Sequence, residues 1–191
     1  NNGPSVCLRR EREAERLNDL IGELLTLALL ESDTKGIEKV RVDLRELVRE
    51  VVEDADFEAK GAHRTVRLVR EEPVAVTGVY ELLRRAIENV VRNGVRFTAE
   101  GTGVEVGLAR LEGPSGPVAR VSVRDHGPGV PQESLEKLFE PFYRVTDARD
   151  RQSGGTGIGL AITQRAVKLH DGAVAAFNVP GGGMEVFLEL P

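Results

Sequence analysis

Apolar positions recur along this chain with two periods, and the switches between them mark out its elements. From about Leu8 to Glu31 a charged start gives way to apolar residues. Leu17, Ile21, Leu24 and Ala28 form one row at helical spacing, and Leu20, Leu24 and Leu27 form a second. Two overlapping rows predict a helix with a wide apolar stripe. Such a helix either packs on its own domain or forms half of a hairpin that dimerises into a four-helix bundle. Ser32 to Lys39 reads as a linker. Asp43 and Glu46 then form a capping box with a carboxylate in the usual Ser/Thr position. The helix it opens carries Leu44, Leu47, Val48, Val51 and Val52 on one face and ends at Gly61.

Period two follows at Val66–Val69 and Val74–Thr77, two short strands. A long helix is predicted over Val79–Phe97, with Leu82, Leu83, Ala86, Ile87, Val90 and Val91 turned inward. Val104–Leu111 and Val118–Asp125 read as strands joined by a Gly-Pro hairpin turn. Residues 126–156 are rich in Gly, Pro and charge, with one short helix near Glu133–Leu138. A last helix, Gly157–His170, precedes the hairpin Ala173–Val179 and Met184–Leu190. The order α-β-β-α-β-β-loop-α-β-β predicts an α+β fold, a two-layer sandwich with helices on one face of a mixed sheet.

Composition narrows the class. The 191 residues suit one large domain or a domain with an appendage, and 40% hydrophobic content suffices for a core without staples. A formal net charge of −5 argues against nucleic-acid binding and against a polybasic membrane anchor. The single cysteine, Cys7, makes no internal disulfide. The longest apolar run, Leu24–Leu30, is too short to span a bilayer. With neither a start methionine nor a signal peptide in view, the chain is expected to be part of a longer protein.

Three stretches carry candidate chemistry. On the long helix, Asn89, Asn93 and Arg96 fall on one face at spacings of four and three. Amide oxygens are hard neutral ligands suited to Mg²⁺ shared with phosphates; helix asparagines are also commonly mere solvated surface. After a strand comes Asp125-His-Gly127-Pro-Gly129-Val130, where glycines let the backbone approach a ligand closely. An ionised Asp only accepts, so it suits the adenine amino group and repels the guanine carbonyl; a plain turn is the alternative. Gly154-Gly155-Thr156-Gly157-Ile158-Gly159-Leu160 opens the last helix and offers backbone N–H groups to phosphates. No Lys follows these glycines, so this is not a Walker loop. Between the last two lies Leu138-Phe-Glu-Pro-Phe142-Tyr143-Arg144, which can clamp a loop onto the core and turn Arg144 to a phosphate. Arg149-Asp150-Arg151 reads as a solvated charge run.

Taken in order, these four stretches resemble the N, G1, F and G2 boxes of the sensor histidine kinases and their wider ATPase superfamily, which includes gyrase, Hsp90 and MutL. The N box and the run from Tyr143 to Gly157 resemble those of the Cpx-type envelope-stress kinases of Gram-negative bacteria. Glu15–Leu25 resembles the second helix of the family's dimerisation and phosphoacceptor hairpin. The resemblance implies the Bergerat ATP-binding fold over 36–191, and an incomplete hairpin helix over 1–35. It implies ATP and Mg²⁺ as cofactors, with Asn93 on the metal and Asn89 and Glu88 beside it. Arg96 and Arg144 would neutralise phosphate, making Glu88, Asn89, Arg96 and Arg144 the catalytic set. Asp125 would read adenine in a pocket shaped by Gly127, Gly129 and Val130. Phe97, Tyr143, Gly155, Thr156, Gly157, Ile158, Gly159 and Leu160 complete the implied nucleotide contacts. Phe97 stands where Tyr is common, Ile158 where Leu is common, and Gly94 replaces a usual Ala, loosening the helix by about 1 kcal/mol.

None of the three histidines, His63, His126 and His170, lies in the family's acceptor motif, so the phosphoacceptor is expected upstream. The implied partners are a response-regulator receiver domain, the protein's own phosphoacceptor hairpin and a second copy of itself. This portion is expected in the cytoplasm, and the full-length protein in the bacterial inner membrane. Two other readings stand beside kinase activity: a gyrase- or Hsp90-like ATP hydrolase, and a non-catalytic dimerisation or sequestering module of the same fold.

Overall fold

The computed structural model describes residues 17–18, 20–30, 37–113, 116–145 and 155–191. The leading helix, α1, is seen over 20–30, with 17 and 18 also helical. Then follow β1 (Val40–Asp43), α2 (Leu44–Lys60), β2 (Thr65–Glu71), β3 (Ala75–Gly78) and α3 (Tyr80–Phe97). β4 (Gly103–Gly113), β5 (Gly116–Arg124), α4 (Gly159–Leu169), β6 (Ala173–Asn178) and β7 (Met184–Leu190) complete the chain. Five strands form a sheet in the order β2-β4-β5-β7-β6, parallel only between β2 and β4. β1 and β3 pair separately as a two-stranded antiparallel sheet.

Helices α2, α3 and α4 cover one face of the large sheet, and the core lies between the layers. Leu44, Leu47, Val48 and Val51 of α2 and Leu83, Ile87, Val90 and Val91 of α3 pack with Val104, Val106, Val121, Val186 and Leu188 of the sheet. Asp43 caps α2 as its spacing predicts, accepting from Arg45 N–H at 2.9 Å and Glu46 N–H at 3.4 Å. Outside the core, α2 and α3 are laced by Tyr80–Glu50 (2.6 Å), Arg84–Asp54 (2.9 Å) and Arg92–Glu58 (3.2 Å). The α2 partners recur every four residues, one turn per rung, and the α3 partners stand four and then eight residues apart, on the same face. Gly94 has a packing role: a Cβ there would lie 3.1 Å from Val104, so its absence seats α3 closely on β4.

Several local expectations change. β1 falls where the sequence suggested only the approach to a helix cap. Gly61 ends α2 in a right-handed conformation (φ −63°), and the left-handed turn falls on His63 (φ 54°). In place of one short helix near Glu133 there are two 3₁₀ turns, Gln132–Ser134 and Glu136–Phe139. The last helix starts at Gly159, two residues later than its pattern indicated. On α1, Leu27 is buried and, with half-buried Leu20 and Leu30, packs against Ile158, Ala161 and Ile162 at the start of α4. The other row, Leu17, Ile21, Leu24 and Ala28, stays exposed. Cys7, the linker positions 32–36, Gly154 and the charged run at 149–151 lie outside the described residues.

Candidate nucleotide site

The C-terminal half of α3 is flanked by two glycine-bearing loops. On one side Asn89 Nδ2 donates to the Gly159 carbonyl at 3.0 Å. One turn and two turns further on come Asn93, half-buried, and Arg96. Gly155 lies so close to the Arg96 guanidinium that a Cβ there would overlap it. The Arg96 guanidinium sits 5.3 Å from the ring centre of half-exposed Phe97, a cation–π distance. On the other side a Cβ at Gly127 would overlap the Phe97 carbonyl. The Asn93 side chain makes no hydrogen bond among the described residues, and its amide oxygen is of the hard, neutral kind that Mg²⁺ accepts. Glu88 differs from its neighbours: its carboxylate pairs with Arg84 at 2.7 Å, and Arg84 also holds Asp54 on α2. The structure therefore brings Asn89 and Arg96 to the glycine loop and ties Glu88 towards α2.

Asp125 directly follows β5 in a buried position. Its Oδ1 accepts from Gly127 N–H at 2.8 Å and from Met184 N–H at 3.3 Å. Burial raises its pKa above the usual carboxylate value, against the opposing pull of those two amides. The residues that follow are stitched down at both ends. Thr98 Oγ1, at the end of α3, accepts from His126 N–H at 3.1 Å. Val130 N–H and C=O both bond the Asn178 side chain, at 2.9 and 2.6 Å.

The loop before α4 turns on paired left-handed residues. Phe142 (φ 65°) donates its N–H to the Gly157 carbonyl at 2.9 Å, and Gly157 has φ 75°. Tyr143 OH donates to Ser134 Oγ at 3.0 Å, anchoring the aromatic segment, while Arg144 is exposed. Thr156 Oγ1 donates to the Glu23 carboxylate of α1 and accepts from Ile158 N–H at 3.3 Å. The Ile158 side chain is sealed under α1, and Leu160 is in the main core. Any nucleotide contact from these two falls to their backbone.

His170 fills a structural role. Its Nδ1 bonds the Ala166 carbonyl at 2.6 Å, and its Nε2 accepts from Val79 N–H at 2.9 Å at the start of α3. Burial lowers its pKa. His126 lies 3.5 Å from Glu105. Sequence reasoning missed Asn178, Met184, Thr98 and Glu23 as supports of the site. The Pro180–Gly183 run marked a turn, and nothing in its residue types showed that the turn lies against Asp125.

A glycine loop at a helix start, a buried carboxylate after a strand, and an asparagine-bearing helix between them define an ATP-binding α/β sandwich. Residues 78–191 match the family described as histidine kinase-, DNA gyrase B-, and HSP90-like ATPase. The chain belongs to this family of ATPase domains. It is 38% identical over 193 residues to the sensor histidine kinase CpxA of Escherichia coli K12, covering 99% of this chain and 40% of that protein. It is 38% identical over 185 residues to the sensor histidine kinase TrcS of Mycobacterium tuberculosis H37Rv, covering 96% and 35%. The structure of full-length ShkA in complex with AMPPNP superposes with a TM-score of 0.82 at 27% identity, covering 100% of this chain and 39% of ShkA. The chain thus spans about two fifths of the length of CpxA. Among the described residues, no helix is long and apolar enough to cross a membrane.

Proposed function

We propose that residues 36–191 bind Mg·ATP and present its γ-phosphoryl group to a histidine outside this chain, for relay to a response-regulator aspartate. Asn93 would hold Mg²⁺, with Asn89 beside it; Arg96 and Arg144 would neutralise phosphate charge, and Asp125 would accept from the adenine amino group. Phosphoryl transfer asks mainly for positioning and charge neutralisation, which such a set supplies. The observation that carries the reading is the convergence on α3: Asn89 and Arg96 meet the glycine loop while Phe97 meets the Asp125 loop. Among the described residues, no three His, Cys, Asp or Glu side chains cluster to hold a metal alone. A cation shared with the nucleotide's phosphates fits that donor set. Residues 1–35 would belong to the dimerisation hairpin, with the exposed Leu17–Ile21–Leu24 row facing a second copy. The whole protein would sit in the bacterial inner membrane, with this part in the cytoplasm.

A hydrolase of the gyrase–Hsp90 kind is disfavoured. The residue four before Asn93 is Asn89, whose amide is tied to Gly159, and the adjacent carboxylate, Glu88, is paired with Arg84. Titration with a non-hydrolysable ATP analogue and Mg²⁺, read by thermal melting, tests the proposal. Ligand at a hundred times Kd should stabilise the fold by about 2.7 kcal/mol. Asn93→Ala should abolish the Mg²⁺ dependence with unchanged circular dichroism. A chain whose melting ignores the nucleotide refutes the reading, and an intact Mg²⁺ response in Asn93→Ala refutes the metal assignment.

A further inference from the structure

Asn178 closes β6, the edge strand of the sheet, and its partner in the last rung of the hairpin ladder is Met184. That one rung reaches the Asp125 loop at both ends. Met184 N–H bonds Asp125 Oδ1 at 3.3 Å, and Asp125 N–H bonds the Met184 carbonyl at 2.9 Å. Five residues further along the loop, Asn178 Oδ1 accepts from Val130 N–H and Asn178 Nδ2 donates to the Val130 carbonyl. A primary amide carries both a donor and an acceptor, so here it pairs with one backbone residue much as a neighbouring strand would. The contact leaves no room for a side chain at Gly129, where φ is 72° and a Cβ would lie 2.7 Å from Asn178 Oδ1. The hairpin tip fits the same arrangement: Gly183 has φ 86°, and a Cβ there would overlap the Asp125 carbonyl.

We propose that Asn178 is a positioning residue of the nucleotide-base site, clasping Val130 so that the loop holds Asp125 in the orientation that accepts from adenine. The inference rests on the reading of Asp125 as the base acceptor. The loop between Asp125 and Val130 contains two glycines, which lose more backbone freedom on ordering than other residues. Without the clasp, a nucleotide must order that segment as it binds; with it, the ordering is already done. The Gly127 amide that fixes Asp125 Oδ1 lies inside the clasped segment, so loosening Val130 also frees the carboxylate to turn. Both affinity for ATP and discrimination against GTP should therefore depend on Asn178.

The test is calorimetric titration of ATP and GTP, each with Mg²⁺, into wild type, Asn178→Ala and Asn178→Asp, with melting curves for each protein. Asn178→Ala removes both bonds. Asn178→Asp keeps the acceptor and sets a carboxylate against the Val130 carbonyl. Two neutral, exposed hydrogen bonds predict a loss of ATP affinity of about three- to tenfold in Asn178→Ala, and at least as much in Asn178→Asp. The ATP-to-GTP affinity ratio should fall in both, while Tm drops by no more than about 3 °C because the side chain is exposed. An unchanged ATP affinity and ratio overturns the proposal. So does an equal loss for both nucleotides, which marks a purely structural contact. A wild-type chain that binds ATP and GTP equally refutes the base-site reading beneath it instead.

Discussion

Asp125→Asn changes one heavy atom, and the surrounding backbone decides what that change does. In the wild type, Oδ1 is fixed by the amides of Gly127 at 2.8 Å and Met184 at 3.3 Å, and Oδ2 takes neither of these bonds. Asparagine can satisfy the two amides only by placing its own oxygen there, which turns its NH₂ towards the base. Adenine would then lose a charge-assisted acceptor, worth about 1.5–3 kcal/mol, and meet a donor instead. A combined loss of about 2–3 kcal/mol weakens ATP binding roughly 30- to 150-fold. Guanine presents a carbonyl at the same place, so the wild-type preference for ATP, at least about tenfold, should shrink or invert. The nucleotide-free protein should respond in the opposite sense. Burial holds the Asp125 pKa above its unfolded value, so the native state keeps this proton more tightly than the unfolded chain. Its stability contribution is present below the unfolded pKa of 3.8 and is lost as pH rises through the higher folded value. An amide removes that penalty, so ligand-free Asp125→Asn should melt at or above wild type at pH 7. Titrations with ATP and GTP, and melts across pH, read both effects. Wild-type ATP affinity in the variant would refute the orientation argued from Gly127 and Met184.

The buried imidazole of His170 supplies a second pH test. Its folded pKa lies below 6.5, so the unfolded chain protonates first as pH falls. Stability from this group is therefore full above 6.5 and is lost as pH falls towards the lower folded value, so denaturant midpoints should drop as pH falls below 6.5. His170→Ala should flatten that fall and, at pH 8, cost about 1–3 kcal/mol by orphaning Val79 N–H; a midpoint as steep in the variant removes His170 as the cause. Incubation with γ-labelled ATP should leave the chain unlabelled, because His170 is occupied in the core and neither His63 nor His126 lies in an acceptor motif. Acid-labile label on the chain would overturn that assignment.

The signals of period, cap and turn were local, and most of them survived into the structure, although the short helix near Glu133 became two 3₁₀ turns and the last helix began two residues late. Asp43 announced α2 because a cap needs only the next three residues. The inner face of α3 followed from a 3.6-residue repeat, and the glycine runs followed from what a backbone needs in order to approach a ligand. The motifs stood in their family order before any strand was paired, so the two-layer architecture and the nucleotide-binding character were already legible. Tertiary contacts decided the rest. β1 is four residues long and exists because β3, some thirty residues later, lies beside it. Leu27 is buried and Leu24 exposed on the same helix, since only one side of the apolar stripe meets Ile158 and Ile162. Glu88 and Asn89 are equally polar neighbours, yet Arg84 draws one towards α2 while Gly159 holds the other at the loop. Asn178 clasps Val130 from 48 residues away. A residue's own chemistry states what it can bond, while the partner it bonds depends on chain closure over dozens of residues, which periodicity within one turn or one strand does not encode.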